Sequence, residues 1–254
     1  MIGLTGPPGV GKSTLMDGLI RLWRGRGLTI GCIAVDPSSR RSGGALLGDR
    51  TRLSTDPEDQ GVFVRSMAAR DRLGGLAALT AGAMVLMRAL YDRVLIETVG
   101  VGQSETDIAD IADIVLFCVQ PGSGDSLQFM KAGIAEIPDI VVVTKADLGA
   151  AARRAQADVE GALGLSGKSR CPVLLTAAAD PASLAGLDEQ IDASLAAMAP
   201  ARPERRRRQA EHWLHEAVRD RFGRDGLKRS GPLTLASEDS PFAAMHKVAE
   251  RLVR

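Results

Sequence analysis

Aromatic residues are scarce in this 254-residue chain: two Trp, one Tyr and five Phe, 3% in all. Its core must therefore be built from Leu, Val, Ile and Ala. Cysteine is scarcer still, and Cys32, Cys118 and Cys171 are far apart and odd in number. That pattern excludes a disulfide framework and predicts buried thiols in a reducing, cytoplasmic setting. Neither sign of charge dominates, since 32 basic residues stand against 31 acidic ones. A near-neutral chain has no bulk attraction for nucleic acid or an anionic membrane, so neither is an expected partner. No apolar run reaches the ~20 residues that a membrane-spanning helix needs. The chain opens directly on a strand-like run, which predicts neither a signal peptide nor a presequence.

Glycine, by contrast, is plentiful, and it clusters where it carries chemistry. Gly6-Pro7-Pro8-Gly9-Val10-Gly11-Lys12-Ser13-Thr14 follows the apolar run Ile2-Gly3-Leu4-Thr5 and precedes a helical pattern, Leu15 to Leu22. Strand, G-x-x-x-x-G-K-[ST] loop and helix form the context that phosphate binding requires. Glycines let successive N–H groups turn inward, and the helix N-terminus adds partial positive charge. The predicted cradle is Gly6, Pro8, Gly9, Val10, Gly11, Lys12, Ser13 and Thr14. Lys12 is expected at the β- and γ-phosphates, and Ser13 as an Mg²⁺ ligand. The plainer alternative, a Gly/Pro turn followed by a chance Lys-Ser, leaves the flanking strand and helix unexplained.

Short apolar runs continue along the chain. Strands are predicted at Thr29 to Val35, Val62 to Val64, Arg93 to Glu97, Ile114 to Val119, Ile140 to Val143 and Val173 to Leu175. Helices are predicted at 74–90, 149–163 and 184–198. Strands alternating with helices imply an α/β fold, a mostly parallel sheet with helices on both faces. Ligands of such sheets lie beyond the strands' carboxyl ends, where Gly6, Asp36, Glu97, Gln120, Thr144 and Thr176 stand. Residues 1–200 are expected to form this domain and 201–254 a C-terminal helical arm. The arm contains helices at 210–222 and 242–253, a Gly/Ser/Pro-rich link between them, and too few apolar residues to close a core alone. Its arginine run reads as a solvated helix face, and His212 and His215 as surface residues rather than a metal pair.

Thr144-Lys145-Ala146-Asp147 follows a strand. A carboxylate at Asp147 matches the N1–H and exocyclic amine of guanine, and adenine offers no such pair of donors. The stem of Lys145 can lie over the base. An ordinary strand-end turn is the competing reading. Asp36, Asp49 and Glu97 stand where Mg²⁺ would find oxygen ligands, directly or through water; a turn or cap is the alternative for Asp36. The Gly100 N–H is placed to sense a γ-phosphate, so that the loop after Glu97 orders with GTP and relaxes with GDP. Catalytic roles fall to Lys12 and Glu97. No general base is readable, and Gln103 is only a candidate for positioning water.

Four blocks together carry a family resemblance. They are Asp36-Pro37-Ser38-Ser39, Gly43-Gly44 through Leu47-Gly48-Asp49, Glu97-Thr98-Val99-Gly100-Val101-Gly102-Gln103-Ser104-Glu105, and Gly124-Asp125 with Leu127-Gln128 and Lys131. The chain resembles the MeaB/ArgK-type P-loop GTPases, the methylmalonic aciduria type A-like G-protein chaperones of adenosylcobalamin-dependent acyl-CoA mutases. The likeness covers residues 1 to about 200 and extends more loosely into the tail. It implies a P-loop NTPase fold, an Mg²⁺ shell of Ser13, Asp36, Asp49 and Glu97, and switch segments at 98–110 and 120–133. It also implies a Lys131 that reaches the nucleotide, a homodimer held by the arm, and a mutase partner whose cofactor loading the protein gates. Thr144 stands where the family has Asn, Ala177-Ala178 where Ser-Ala is usual, and Ala132 where a second Lys is frequent. Asp147 and the Ala178 N–H remain for GTP or GDP. The rival classes are a transport-protein kinase, a GTP-dependent metallocofactor-insertion protein, a partitioning ATPase and a scaffold with a dead site. No kinase H-R-D signature, clustered Cys/His set or early loop Lys supports the first three, and the complete Lys-Ser and acidic set argues against the last.

Overall fold

The computed structural model describes residues 1–37, 56, 58–69, 78–98, 108–122, 137–165, 167, 170–236 and 239–253, without the side chains of 36, 37, 68, 69, 78, 79 and 81. Among these residues, seven strands form one sheet: β1 (Ile2–Thr5), β2 (Ile30–Pro37), β3 (Val62–Ala69), β4 (Arg93–Glu97), β5 (Ile114–Val119), β6 (Ile140–Val143) and β7 (Val173–Leu175). The order is β3-β2-β4-β1-β5-β6-β7, and every pairing is parallel. All carboxyl ends therefore share one rim. The chain winds outward from β1 through β2 and β3, returns to β4, then crosses to β5 on the other side of β1. Such a switch point leaves a crevice above the central strand.

Both faces are covered, as the continuous apolar strands demand. Val115, Phe117 and Val119 project to the face that carries α2 (Ala78–Leu90) and α3 (Ala150–Leu165). The other face carries α1 (Lys12–Gly25), which buries Leu15, Met16, Leu19, Ile20 and Trp23 at helical spacing. The Trp23 indole donates to Asp188 of α4 (Pro181–Met198) at 2.6 Å, and Arg26 pairs with the same buried carboxylate. At the amino-terminal rim, acids ahead of the strands tie neighbours together. Asp92 accepts from the N–H and hydroxyl of Thr29, and Asp59 takes a bidentate Arg24. Asp139 accepts from the Val115 N–H.

Several boundaries differ from expectation. β3 runs for eight residues, because Val62 to Ala69 pair in register with Ile30 to Pro37. Helix α4 begins at Pro181, with the Asp180 carboxylate capping the Ala182 N–H. The described helix ahead of β4 covers 78–90.

Contacts divide the chain into units 1–196 and 197–254. In the second, α5 (Arg202–Ser230) is longer than predicted at both ends, and α6 spans Pro241–Val253. Glu204 binds Arg207 and Arg208 one turn on, so the arginine run starts a helix. Gly223 is a single left-handed residue, φ 71°, after which the helix resumes. The expectation that this tail closes no core is corrected: Leu214, Val218, Leu235, Val248 and Leu252 pack together within it. His212 and His215 are exposed.

Candidate functional site: a phosphate loop beside a base-sized cavity

The loop leaves β1 through Gly6, at φ +134°. A Cβ there would lie 2.2 Å from the Cys118 carbonyl oxygen of β5, so only glycine lets the loop start so close to its neighbour. Gly11, also left-handed, precedes α1. The N-cap is Gly11, which has no side chain to cap the helix, and no acid lies in the first turn, so the helix end presents partial positive charge with no carboxylate of its own to offset it. Lys12 is buried, and its Nζ donates to the Gly6 and Pro7 carbonyls at 2.8 and 3.1 Å. The ammonium thus arches over its own loop.

On one side of the loop, the Ser13 hydroxyl lies 2.9 and 3.0 Å from the two Glu97 carboxylate oxygens. Glu97 ends β4 and is buried, in register with Leu4 of β1 and Ala34 of β2. A hydroxyl and a carboxylate at this spacing are hard oxygen donors of the kind Mg²⁺ takes, so the residues present fit that ion. The Thr98 hydroxyl donates to that of Thr5 at 2.9 Å, fastening the first residue after Glu97 to the strand that feeds the loop. Beneath them, burial pushes the Cys118 thiol up to about 12. Lys12 draws it down and Glu97 raises it further. Burial raises the Cys32 thiol too. Both stay protonated at neutral pH and neither serves as a nucleophile.

On the other side, the Thr144 hydroxyl sits 2.6 Å from the Val10 carbonyl and 2.9 Å from that of Val119. It joins the end of β6 to the phosphate loop. Lys145 is left-handed at φ 54°, ψ 44°, and turns the chain into a short 3-10 segment, Ala146–Leu148. Its Nζ donates to the Gln120 side-chain oxygen and, at 3.4 Å, to the Gly9 carbonyl. The Ala146 N–H reaches the Thr176 carbonyl at 3.3 Å. Ser183 accepts from the Ala177 N–H at 2.9 Å and donates back to its carbonyl at 3.0 Å, which shapes the loop after β7.

These pieces enclose an open cavity of about 430 Å³, with Val10, Gly11 and Thr14 on one wall and Lys145, Asp147 and Ala178 on another. Asp147 is exposed at its mouth. The structure therefore brings together the loop residues Gly6, Pro8, Gly9, Val10, Gly11, Lys12, Ser13 and Thr14 with Thr144, Lys145, Asp147, Ala177 and Ala178, and separately Ser13 with Glu97. Asp36 is the penultimate residue of β2, at the same rim. Its side chain, and Asp49, Gly100, Gln103 and Lys131, lie outside the described residues. Ser183 has no place in the sequence reading, although Asp180-Pro181 signals a helix start and so puts it in the first turn. Gln120 and Thr176 are read there as strand-end residues, and Gln120 also as the start of the 120–133 switch segment, but their individual contacts are not readable. The Thr176 hydroxyl is buried without a hydrogen-bond partner among the described residues.

Comparison with known proteins places the chain in a family. A family model described as methylmalonyl Co-A mutase-associated GTPase MeaB matches residues 1–228. A protein of Pyrococcus horikoshii is 54% identical over 148 residues, which is 58% of this chain and 47% of that protein. The mouse methylmalonic aciduria type A homolog, mitochondrial, is 45% identical over 167 residues, 65% of this chain and 40% of that protein. The chain thus spans less than half the length of either relative. Among solved structures, that of an LAO/AO transport system kinase has a TM-score of 0.63 at 24% identity and covers 100% of this chain and 81% of that one. That likeness extends to the fold alone. With the family model matching most of its length, this chain belongs to the MeaB family of P-loop proteins.

Proposed function

We propose that the chain binds and hydrolyses GTP, and that its nucleotide state gates adenosylcobalamin loading and protection of a B12-dependent acyl-CoA mutase. The observation that carries the first half is the shared cavity: a phosphate loop and an Asp-bearing turn, tied together through Thr144, on one rim of a parallel sheet. The loop N–H groups and Lys12 bind the phosphates, and Lys12 offsets charge that builds on the transferring phosphoryl group. Ser13 and Glu97, with Asp36 and Asp49, would hold Mg²⁺, which supplies further charge neutralisation when bound. Asp147 and the Ala178 N–H select guanine, and Gly100, Gln103 and Lys131 belong to the segments that respond to the γ-phosphate. The second half draws support from the family description and the mouse relative's name. Residues 201–254 serve as a dimerisation arm of a cytoplasmic protein.

Calorimetry with GDP and ADP tests the base reading. Asp147→Asn replaces an acceptor with a donor and should abolish the guanine preference, because N1–H and the exocyclic amine then face an amide. Equal affinity for both nucleotides in the unsubstituted chain refutes it. Undiminished GTP turnover by Lys12→Ala refutes the role of Lys12. Nucleotide-dependent co-purification of an acyl-CoA mutase tests the partner.

A further inference from the structure

We propose that Gln120 is a positioning residue of the nucleotide site, holding the Lys145 ammonium so that the Lys145 stem walls the base cavity. Lys145 is the one non-glycine among the described residues with a positive φ. That conformation is unfavourable for a residue with a Cβ. Its side chain is exposed, and a long exposed amine keeps its rotamer freedom unless something holds it. Two acceptors do so here. The Gly9 carbonyl is at 3.4 Å, long for a hydrogen bond, while the Gln120 Oε1 is the closer partner. Gln120 is the first residue past β5, so its backbone is placed by the sheet. The carbonyl of the preceding Val119 accepts the Thr144 N–H at 2.8 Å and lies 2.9 Å from the Thr144 hydroxyl. The ends of β5 and β6 and the phosphate loop therefore meet at one point, and the Gln120 side chain links that junction to Lys145, which lines the cavity. A residue without an acceptor at 120 leaves Lys145 only its weak contact with Gly9.

The inference rests on the guanine-nucleotide reading above. Stopped-flow release of a fluorescent GDP analogue from the full chain tests it, with melting temperature recorded for each variant. Gln120→Leu should release the analogue about fivefold faster, the effect of losing one charge-assisted hydrogen bond at a partly exposed site. Gln120→Glu keeps the acceptor and adds charge, so it should release no faster than the unsubstituted chain. In a Lys145→Met background, which keeps the stem and removes the amine, Gln120→Leu should have no further effect. Unchanged release by Gln120→Leu, or an equal acceleration in the Lys145→Met background, overturns the proposal. If Gln120→Leu does not fold, Gln120→Glu decides, and faster release by it is the overturning result. Failure of the unsubstituted chain to take up the analogue overturns the guanine reading and this proposal together; normal uptake with insensitive release removes only the role of Gln120.

Discussion

At Gly6 the smallest side chain has the largest consequence. Gly6→Ala places a methyl group against the Cys118 carbonyl and strains a φ of +134°. The expected cost is about 3 kcal/mol or more, read by denaturant titration, with nucleotide affinity lost in parallel. Thr144→Val removes the hydroxyl that joins β6 to Val10 but keeps shape and the Thr144 N–H bond to Val119. It should cost about 1–2 kcal/mol and weaken GDP binding in calorimetry. Gly6, Lys12, Ser13 and Asp147 are legible in the sequence because the proposed phosphate and guanine recognition needs particular residue types at short fixed spacings. Gln120 and Thr176 are legible only as strand-end positions, because their contacts are with Lys145 and Ala146, distant in sequence; Ser183 is not legible as a site residue, although its partner Ala177 is close by in the chain. Even Thr144, readable as a departure from the family's Asn, owes its meaning to a carbonyl 134 residues away.

Among elements, β4, β5, β6 and β7 are the most readable strands, since each is a short apolar run bounded by polar residues or proline. β3 was underestimated because its second half, Arg65-Ser66-Met67-Ala68-Ala69, lacks an apolar signature and is strand only through pairing with β2. The start of α4 was missed although Asp180-Pro181 announces it. Asp180→Ala should lower stability by about 1 kcal/mol in thermal melts, the usual loss for a removed N-cap. In α5 the Gly-rich stretch from 223 reads as a link, yet only Gly223 leaves helical geometry. Gly226 sits so near the Phe222 side chain that a Cβ would lie 2.2 Å from it, so packing rather than a turn explains this glycine. Gly223→Ala should destabilise the 197–254 unit by about 1–3 kcal/mol, because φ 71° with ψ −173° suits glycine alone.

For the whole molecule, acid sensitivity follows from carboxylates held by donors. Hydrogen bonds from Arg207 and Arg208 bring the Glu204 carboxyl from 4.5 to about 2. The Arg24 guanidinium lowers Asp59, and the Thr29 N–H lowers Asp92. Each pKa is depressed on folding, so its contribution is complete above the unfolded value and disappears as pH falls through the folded one. Melting temperature should therefore decline between about pH 4.5 and pH 2, and Glu204→Gln should shallow that decline. Since Glu204 is solvent-exposed, the change is small and is best seen at low salt. Sedimentation of a chain ending at residue 200 tests the proposed arm: it should be monomeric and still bind GDP, and a persistent dimer removes that role.

The common direction of all seven strands separates two kinds of work. The candidate site lies where the strands finish, and the Asp59, Asp92 and Asp139 ties gather where they begin. A dye or surface anchor attached near Asp92 would sit a full strand length from the cavity. It could report on the molecule, or tether it to a chip, without disturbing the turnover being watched.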